Sequence, residues 1–482
     1  MKFRLSLFIV IIFAAAGCST LGDIRSVSDL SNAQRTALLY NEFVGGESPN
    51  VAQLKLFFSK MPKGGDLHHH YSGSIYAETY LDWVEDASYW IDRDTLEISK
   101  TATDTSISVE ELRSDTNRHR KLLMLWSDHD YQSHYHQQSP PDAKFFSTFA
   151  YFSPVSRNFD GLMILKERAI KENVSYIETM LKSVGYSYED ISFDEDIRKA
   201  PGSEAVSLLL DKLSAKIDAD NAFGEKIGAF IRKIEEVHKG VDDDLFKMRY
   251  QTYGYRNTSP SRVFSALYSA FKAAETSELL VGVNIVGPEN GVMAIADYSL
   301  HMQMFAYLKN KFPNVNRALH AGELRLGMVR PKNLKFHISQ AVNIAGAQRI
   351  GHGMDLPYEE GAIDLLRRIR EKSAVEINFT SNEFILGIKG REHPYLIYSA
   401  YDVPLLICTD DSGVSRNNLT GEYVLLATRY KPGYETVKKY VYNSIRYSFL
   451  SENEKDSLTS SLDLRFEKFE AEMAEYSGLI LK

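Results

Sequence analysis

Eight short strand-like runs recur along this chain, and helical patterns separate most of them. The runs cover residues 67–70, 174–181, 246–255, 279–286, 317–320, 349–352, 374–379 and 404–409. The clearest is LLVGVNIV at 279–286, an unbroken apolar stretch of the kind a strand buried on both faces shows. Between the runs, 261–274, 290–311, 334–345 and 359–372 carry apolar residues at helical spacing, and 183–239 is longer and mostly helical. Strands alternating with helices imply a parallel sheet, because a parallel crossover needs a connection of helix length. Eight units predict an α/β fold of the (β/α)8 TIM-barrel class, with its chemistry at the C-terminal strand ends. The 482 residues leave room for additions to a plain barrel. These are expected as an N-terminal helical extension, a mostly helical insertion at about 75–153 after the first strand, and closing helices over 422–427, 434–449 and 463–476.

Polar residues gather where the runs stop. The first ends in His68 and His70, the fourth in Gly287, and the fifth in His320-Ala321-Gly322-Glu323. The sixth ends in Gly351-His352-Gly353, the seventh in Thr380-Ser381-Asn382 and the eighth in Thr409-Asp410-Asp411. One such end is ordinary, since strands often stop in polar turns. Six in register with the predicted strand ends point to a site.

The stretch MPKGGDLHHHYSGS at 61–74 shows how the chemistry starts. On a strand, side chains alternate between faces, so His68 and His70 share one face and His69 takes the other. Two imidazoles at i, i+2 can grip one metal ion, and they can equally be a solvated strand end. The stretch alone leaves both open. His134 and His136 repeat the spacing, but no apolar strand leads into them, so they read as surface histidines.

The motifs GDLHHHYSGS, LHAGELRL, RIGHGMD, EINFTSN and LLICTDDS, in this order, resemble those of the adenosine deaminase family of metal-dependent amidohydrolases. The opening MPKGGDLHHH with a long insertion after it resembles the secreted, growth-factor-related branch, although nothing in the chain matches the disulfides or receptor-facing features of animal relatives. The resemblance implies one Zn2+ per chain, held by His68, His70, His320 and Asp410. It implies that His352 orients a zinc-bound water and takes its proton, and that a protonated Glu323 donates to purine N1 and makes C6 electrophilic. Asp411 either holds the attacking water or accepts a hydrogen bond at purine N7, and Gly287 offers its backbone N–H to N3. Ser72 stands where the family often places an Asp for the ribose 5′-hydroxyl. The implied reaction converts adenosine or 2′-deoxyadenosine to inosine or deoxyinosine and ammonia. A second reading is an aminohydrolase acting on adenine, a modified adenosine or AMP, with Arg325 and Lys389 as candidates for a phosphate. A third is a surface nucleoside-binding protein with a relic site.

Charge and cysteine content narrow the classes. With 56 basic and 64 acidic residues the formal net charge is −8, and no stretch concentrates Lys and Arg, which argues against a nucleic-acid partner. The small-molecule purine remains the expected ligand, and no oligomeric state is legible. The start is distinctive: Lys2 and Arg4, an apolar run at 5–16 too short to span a bilayer, then Ala15-Ala16-Gly17-Cys18. This resembles a bacterial lipoprotein signal. It implies removal of 1–17, a lipid on Cys18, a tether over 18–50 and one enzymatic body over 51–482, anchored in the cell envelope at the outer membrane or periplasmic face. Cys408 is the only other cysteine, so with Cys18 acylated no intrachain disulfide is expected, and a Cys-rich deaminase signature with its C-x-x-C pair is excluded.

Overall fold

A computed structural model describes residues 30–129, 140–156 and 159–481. The leader, Cys18, His134 and His136 lie outside the described residues. Eight strands form one sheet in sequential order: β1 (Gly64–His70), β2 (Val174–Met180), β3 (Lys247–Tyr255), β4 (Leu280–Val286), β5 (Asn316–Ala321), β6 (Arg349–His352), β7 (Ala374–Ile377) and β8 (Leu405–Ile407). Every neighbouring pair is parallel. All eight expected strands are present, and helices surround the sheet, as a (β/α)8 barrel requires.

The barrel closes at its C-terminal rim. The Asp410 N–H donates to the His68 carbonyl at 2.9 Å, and the His70 N–H donates to the Asp410 carbonyl at 3.4 Å. The seam between the last and first strands therefore runs through three of the expected metal ligands. Asp410 has φ 60°, and His352 has φ 71°. Non-glycine residues occupy this left-handed region at a steric cost, and such strain concentrates at functional sites.

Inside the barrel, Arg349 is buried between two carboxylates. Its Nε donates to Glu376 at 2.6 Å, and its Nη2 donates to Glu178. Lone buried charges are expensive, so the arginine and its two partners stand or fall together.

One expectation needs correction. Residues 32–44, read as part of a tether, form helix α1 (Asn32–Val44). Ser31 and Gln34 cap it in a reciprocal box, and it buries Leu39, Tyr40, Phe43 and Val44. Its Thr36 hydroxyl donates to the Glu470 carbonyl of the long C-terminal helix Glu452–Ile480. The aromatic cluster of Tyr40, Phe57 and Tyr434 joins α1, α2 (Val51–Lys60) and the helix Tyr434–Arg446. The body thus starts before residue 51, because four buried apolar side chains dock what looked like polar linker.

The insertion is mostly helical, as expected, and holds a few strand residues. A small antiparallel sheet of Trp90–Asp92, Ile98–Ser99 and Ser106–Ile107 sits among its helices. Strands of two or three residues leave no readable alternation in a sequence. The helix that matters most for the site is α3 (Pro141–Phe152), which begins with proline at its first turn.

Candidate active site

His68 and His70 leave β1 on the same side, and His69 turns away to pair its Nδ1 with the Thr179 hydroxyl at 3.0 Å. His320 at the end of β5 brings its Nε2 to 3.2 Å from His70 Nε2. Asp410 Oδ1 lies 3.2 Å from His70 Nε2 and 3.5 Å from His68 Nε2. His68, His70, His320 and Asp410 thus converge, and His352 and Asp411 stand at the edge of the same cluster. Gly351 lets the His68 ring in, since a Cβ there would sit 2.6 Å from His68 Cε1.

The donor set fits a divalent metal. His68 Nε2 is buried and has no hydrogen-bond partner, while Nδ1 of the same ring is 2.7 Å from Glu376. Burial pulls the His68 ring down, but its carboxylate neighbours Asp410 and Glu376 raise it to about 10. This spot therefore calls for a positive charge, and a metal ion on Nε2 meets the same two carboxylates. His320 Nδ1 faces the Asn284 side-chain oxygen at 2.9 Å, and that amide is turned by Gln251, whose oxygen accepts from Asn284 Nδ2 at 3.0 Å. Burial lowers His70 to about 4 and takes His320 well below its usual value, so both rings are neutral and able to ligate.

Glu323 and His352 flank this cluster, with Glu323 Oε1 3.8 Å from His352 Nε2. Burial, then the charges of Asp410 and Glu289, push the Glu323 carboxyl well above its usual value, so it stays protonated near neutrality. Its backbone is pinned from below: Glu289 accepts the N–H of Gly322 at 3.0 Å and of Glu323 at 2.9 Å. Glu289 itself remains charged. Burial works against this, but the His337 hydrogen bond and the Arg256 charge bring it to about 2. Asp410 is held well below the carboxylate range by His68 despite burial, and burial plus the Asp410 charge drive Asp411 well up. Gly73 makes room for Asp411, since a Cβ there would overlap its carboxyl.

His70, His320, Glu323, His352, Asp410 and Asp411 border one cavity of about 300 Å³. Ser72 and Gly287 lie on its wall, as expected, and Gly287 has φ 99° beside the Tyr255 ring. Phe145, Phe146 and Phe149 of α3 close the other side, with Tyr253, Tyr255 and Ile385. Sequence reasoning missed these aromatic side chains, because the insertion offers no strand-end signal. It also missed Glu376, Asn284 and Glu289, although two of them stood within or beside motifs already singled out. Arg325 and Lys389 do not reach the cavity wall. The Arg325 guanidinium donates to the Leu386 carbonyl, and Lys389 pairs with Glu383 at 2.9 Å.

The adenosine deaminase family model matches residues 248–464, a span that holds His320, Glu323, His352, Asp410 and Asp411. An adenosine deaminase from Clostridium kluyveri is 25% identical over 295 residues, which are 61% of this chain and 70% of that protein. One from Enterococcus faecalis is 34% identical over 226 residues, 47% of this chain and 61% of that protein. Over these residues the chain is similar to the adenosine deaminase family. In fold, it is similar to the N6-methyl-AMP deaminase of Arabidopsis thaliana, with a TM-score of 0.55 over 85% of this chain and 98% of that one, at 17% identity. The histidine pair of β1 lies outside the span that the family model matches, and the fold brings it to the ligands inside that span.

Proposed function

We propose that this chain is a zinc-dependent aminohydrolase that deaminates adenosine or 2′-deoxyadenosine to the inosine nucleoside and ammonia. The observation that carries this reading is the convergence of His68, His70, His320 and Asp410 beside a cavity that Glu323 and His352 line, with the Glu323 carboxyl pushed up by burial. A divalent metal held there supplies a water activated at neutral pH. The protein's own groups do the rest. Glu323 gives its proton to purine N1, which drains electron density from C6 and readies it for attack. His352, 3.8 Å from Glu323, holds the incoming oxygen on the metal side of the ring. The raised carboxyl of Asp411 is a donor for the N7 lone pair. Phe145, Phe146, Phe149 and the tyrosines give the purine apolar walls and exclude water.

A nucleotide substrate is the second reading, favoured by the fold neighbour's name. Against it, no Lys or Arg lines the cavity among the described residues, and a phosphate would find no cationic partner there. The test is ammonia release from a panel of adenosine, 2′-deoxyadenosine, adenine, AMP and N6-methyl-AMP, with metal analysis of the same preparation. Adenosine or its 2′-deoxy form should lead AMP by at least about tenfold in kcat/KM. Turnover led by a nucleotide overturns the substrate and keeps the reaction class. Binding of adenosine without metal or turnover supports the relic reading instead.

The resemblance of the start to a lipoprotein signal supports an enzyme anchored in the cell envelope and acting on external nucleosides. Labelled palmitate should enter the wild-type chain and not the Cys18→Ala variant, and incorporation that survives the change removes the anchor.

A further inference from the structure

The imidazoles of the site do not all present the same atom to the substrate side. His68 Nδ1 faces a carboxylate oxygen of Glu376, and His320 Nδ1 faces the Asn284 amide oxygen. Each Nδ1 therefore donates its proton outward, and each Nε2 keeps a lone pair for a metal. His352 is built the other way round. Its Nδ1 faces two amide nitrogens, Asn382 Nδ2 at 3.0 Å and Asn378 Nδ2 at 3.3 Å.

The direction of the Asn382 amide follows from a group that leaves no choice. The backbone N–H of Tyr395 points at His393 Nδ1 at 3.0 Å, and a backbone N–H can only donate. His393 Nδ1 is thus an acceptor, so the ring's proton is on Nε2. That nitrogen is 3.3 Å from Asn382 Oδ1, which must accept it. The Asn382 amide nitrogen is then left for His352 Nδ1, which accepts in turn. Burial lowers His393 to about 3, in keeping with one proton on its ring. His393, Asn382 and Asn378 are fully or nearly fully buried, so no solvent competes for these bonds.

We propose that His393 and Asn382 are positioning residues that lock His352 as the Nε2–H tautomer, making it a hydrogen-bond donor to the attacking oxygen, so that the proton of the metal-activated water leaves to solvent and not to a His352 lone pair. This rests on the deaminase reading for its catalytic consequence, and it departs from the proton-accepting role that the family resemblance implies for His352. The chain of bonds itself is independent of any substrate.

The first test needs no turnover. Protein labelled with 15N histidine and loaded with zinc gives long-range 1H–15N correlations, and His352 is assigned by the signal lost in His352→Gln. The expected pattern has His352 Nε2 protonated and Nδ1 in the acceptor range. A protonated Nδ1 overturns the proposal. If wild-type protein deaminates no purine, the spectrum still decides the tautomer, so the two failures are separable.

The second test reads the consequence. In Asn382→Asp the carboxylate cannot donate, the ring must carry its proton on Nδ1, and kcat should fall about 100-fold with KM within about threefold and zinc content unchanged. His393→Gln keeps an N–H for Asn382 Oδ1 and should lose less than about fivefold, whereas His393→Phe should fall with Asn382→Asp. Equal losses in His393→Gln and His393→Phe, or full kcat in Asn382→Asp, overturn it. Thermal unfolding of each variant separates lost positioning from lost fold.

Discussion

At the floor of the cavity, His68, His320 and Glu323 are each gripped from behind by a buried polar partner: Glu376, Asn284 and Glu289. At its roof, α3 is set by rings. Phe145 lies 5.2 Å from Phe146 and Phe149 lies 5.2 Å from Phe152, which stacks on Tyr80 at 4.5 Å. Its polar tie to the barrel is Asn290 Nδ2 donating to Asp142 at 3.3 Å. The floor has directional bonds in a low-dielectric setting, where a missing partner leaves an expensive orphan. The roof has non-directional apolar contact, which tolerates substitution at the price of area alone. Chemistry needs fixed atoms, and recognition of a flat apolar ring needs a wall. The two halves of the cavity divide those tasks.

Removing the metal is the harshest way to break the floor. Chelator-treated protein should fall below about a thousandth of its starting rate and recover when Zn2+ is added back, as followed by ammonia release. Recovery with no metal supplied would remove the cation from the reading. Glu323→Gln comes next. It keeps the shape and loses the acid, so kcat should drop about 10²–10⁴-fold while KM and bound metal stay close to wild type.

Glu376→Gln probes the layer beneath. It weakens the bond that orients His68, and zinc affinity measured by competition with a chromophoric chelator should fall about 10–100-fold. An unchanged affinity would mean that the Arg349–Glu376 pair serves the barrel interior alone. At the roof, Phe149→Ala should raise KM by about tenfold through lost apolar contact, with kcat changed by less than about threefold and full metal content. A large kcat loss there would erase the contrast between the two halves.

The smallest effect concerns stability near the rim. Glu422 accepts from the Thr380 N–H at 3.2 Å and from Asn417 at 2.9 Å. Burial raises its carboxyl from the usual 4.5 to about 7. The folded state then keeps a proton that the unfolded chain has released, so this group's contribution is full below about pH 4.5 and is lost as pH rises through 7. Glu422→Gln should flatten that part of the stability curve in denaturant titrations, and an unchanged slope would assign it to other groups.

Much was legible from residues alone, for a local reason. Strand runs such as 279–286 carry their own signal, and the barrel aims their ends at one place, so His320 and Glu323 could be read as a pair three residues apart. The four expected ligands indeed meet. The partners of these groups were not legible. Glu376 reaches His68 across 308 residues, and Asn284 reaches His320 across 36, so no local pattern records either bond. Helix α1 hid for another reason: its apolar face is short and makes sense only against the C-terminal helix it covers.

The sequence by itself thus determined the barrel class and the candidate groups whose chemistry suits a metal or a proton, because periodicity and residue chemistry are local properties. Only the tertiary structure decided which nitrogen of His68, His320 and His352 is turned toward the residue cluster. That depends on whether a carboxylate, an amide oxygen or an amide nitrogen stands behind the ring, and those neighbours come from other strands.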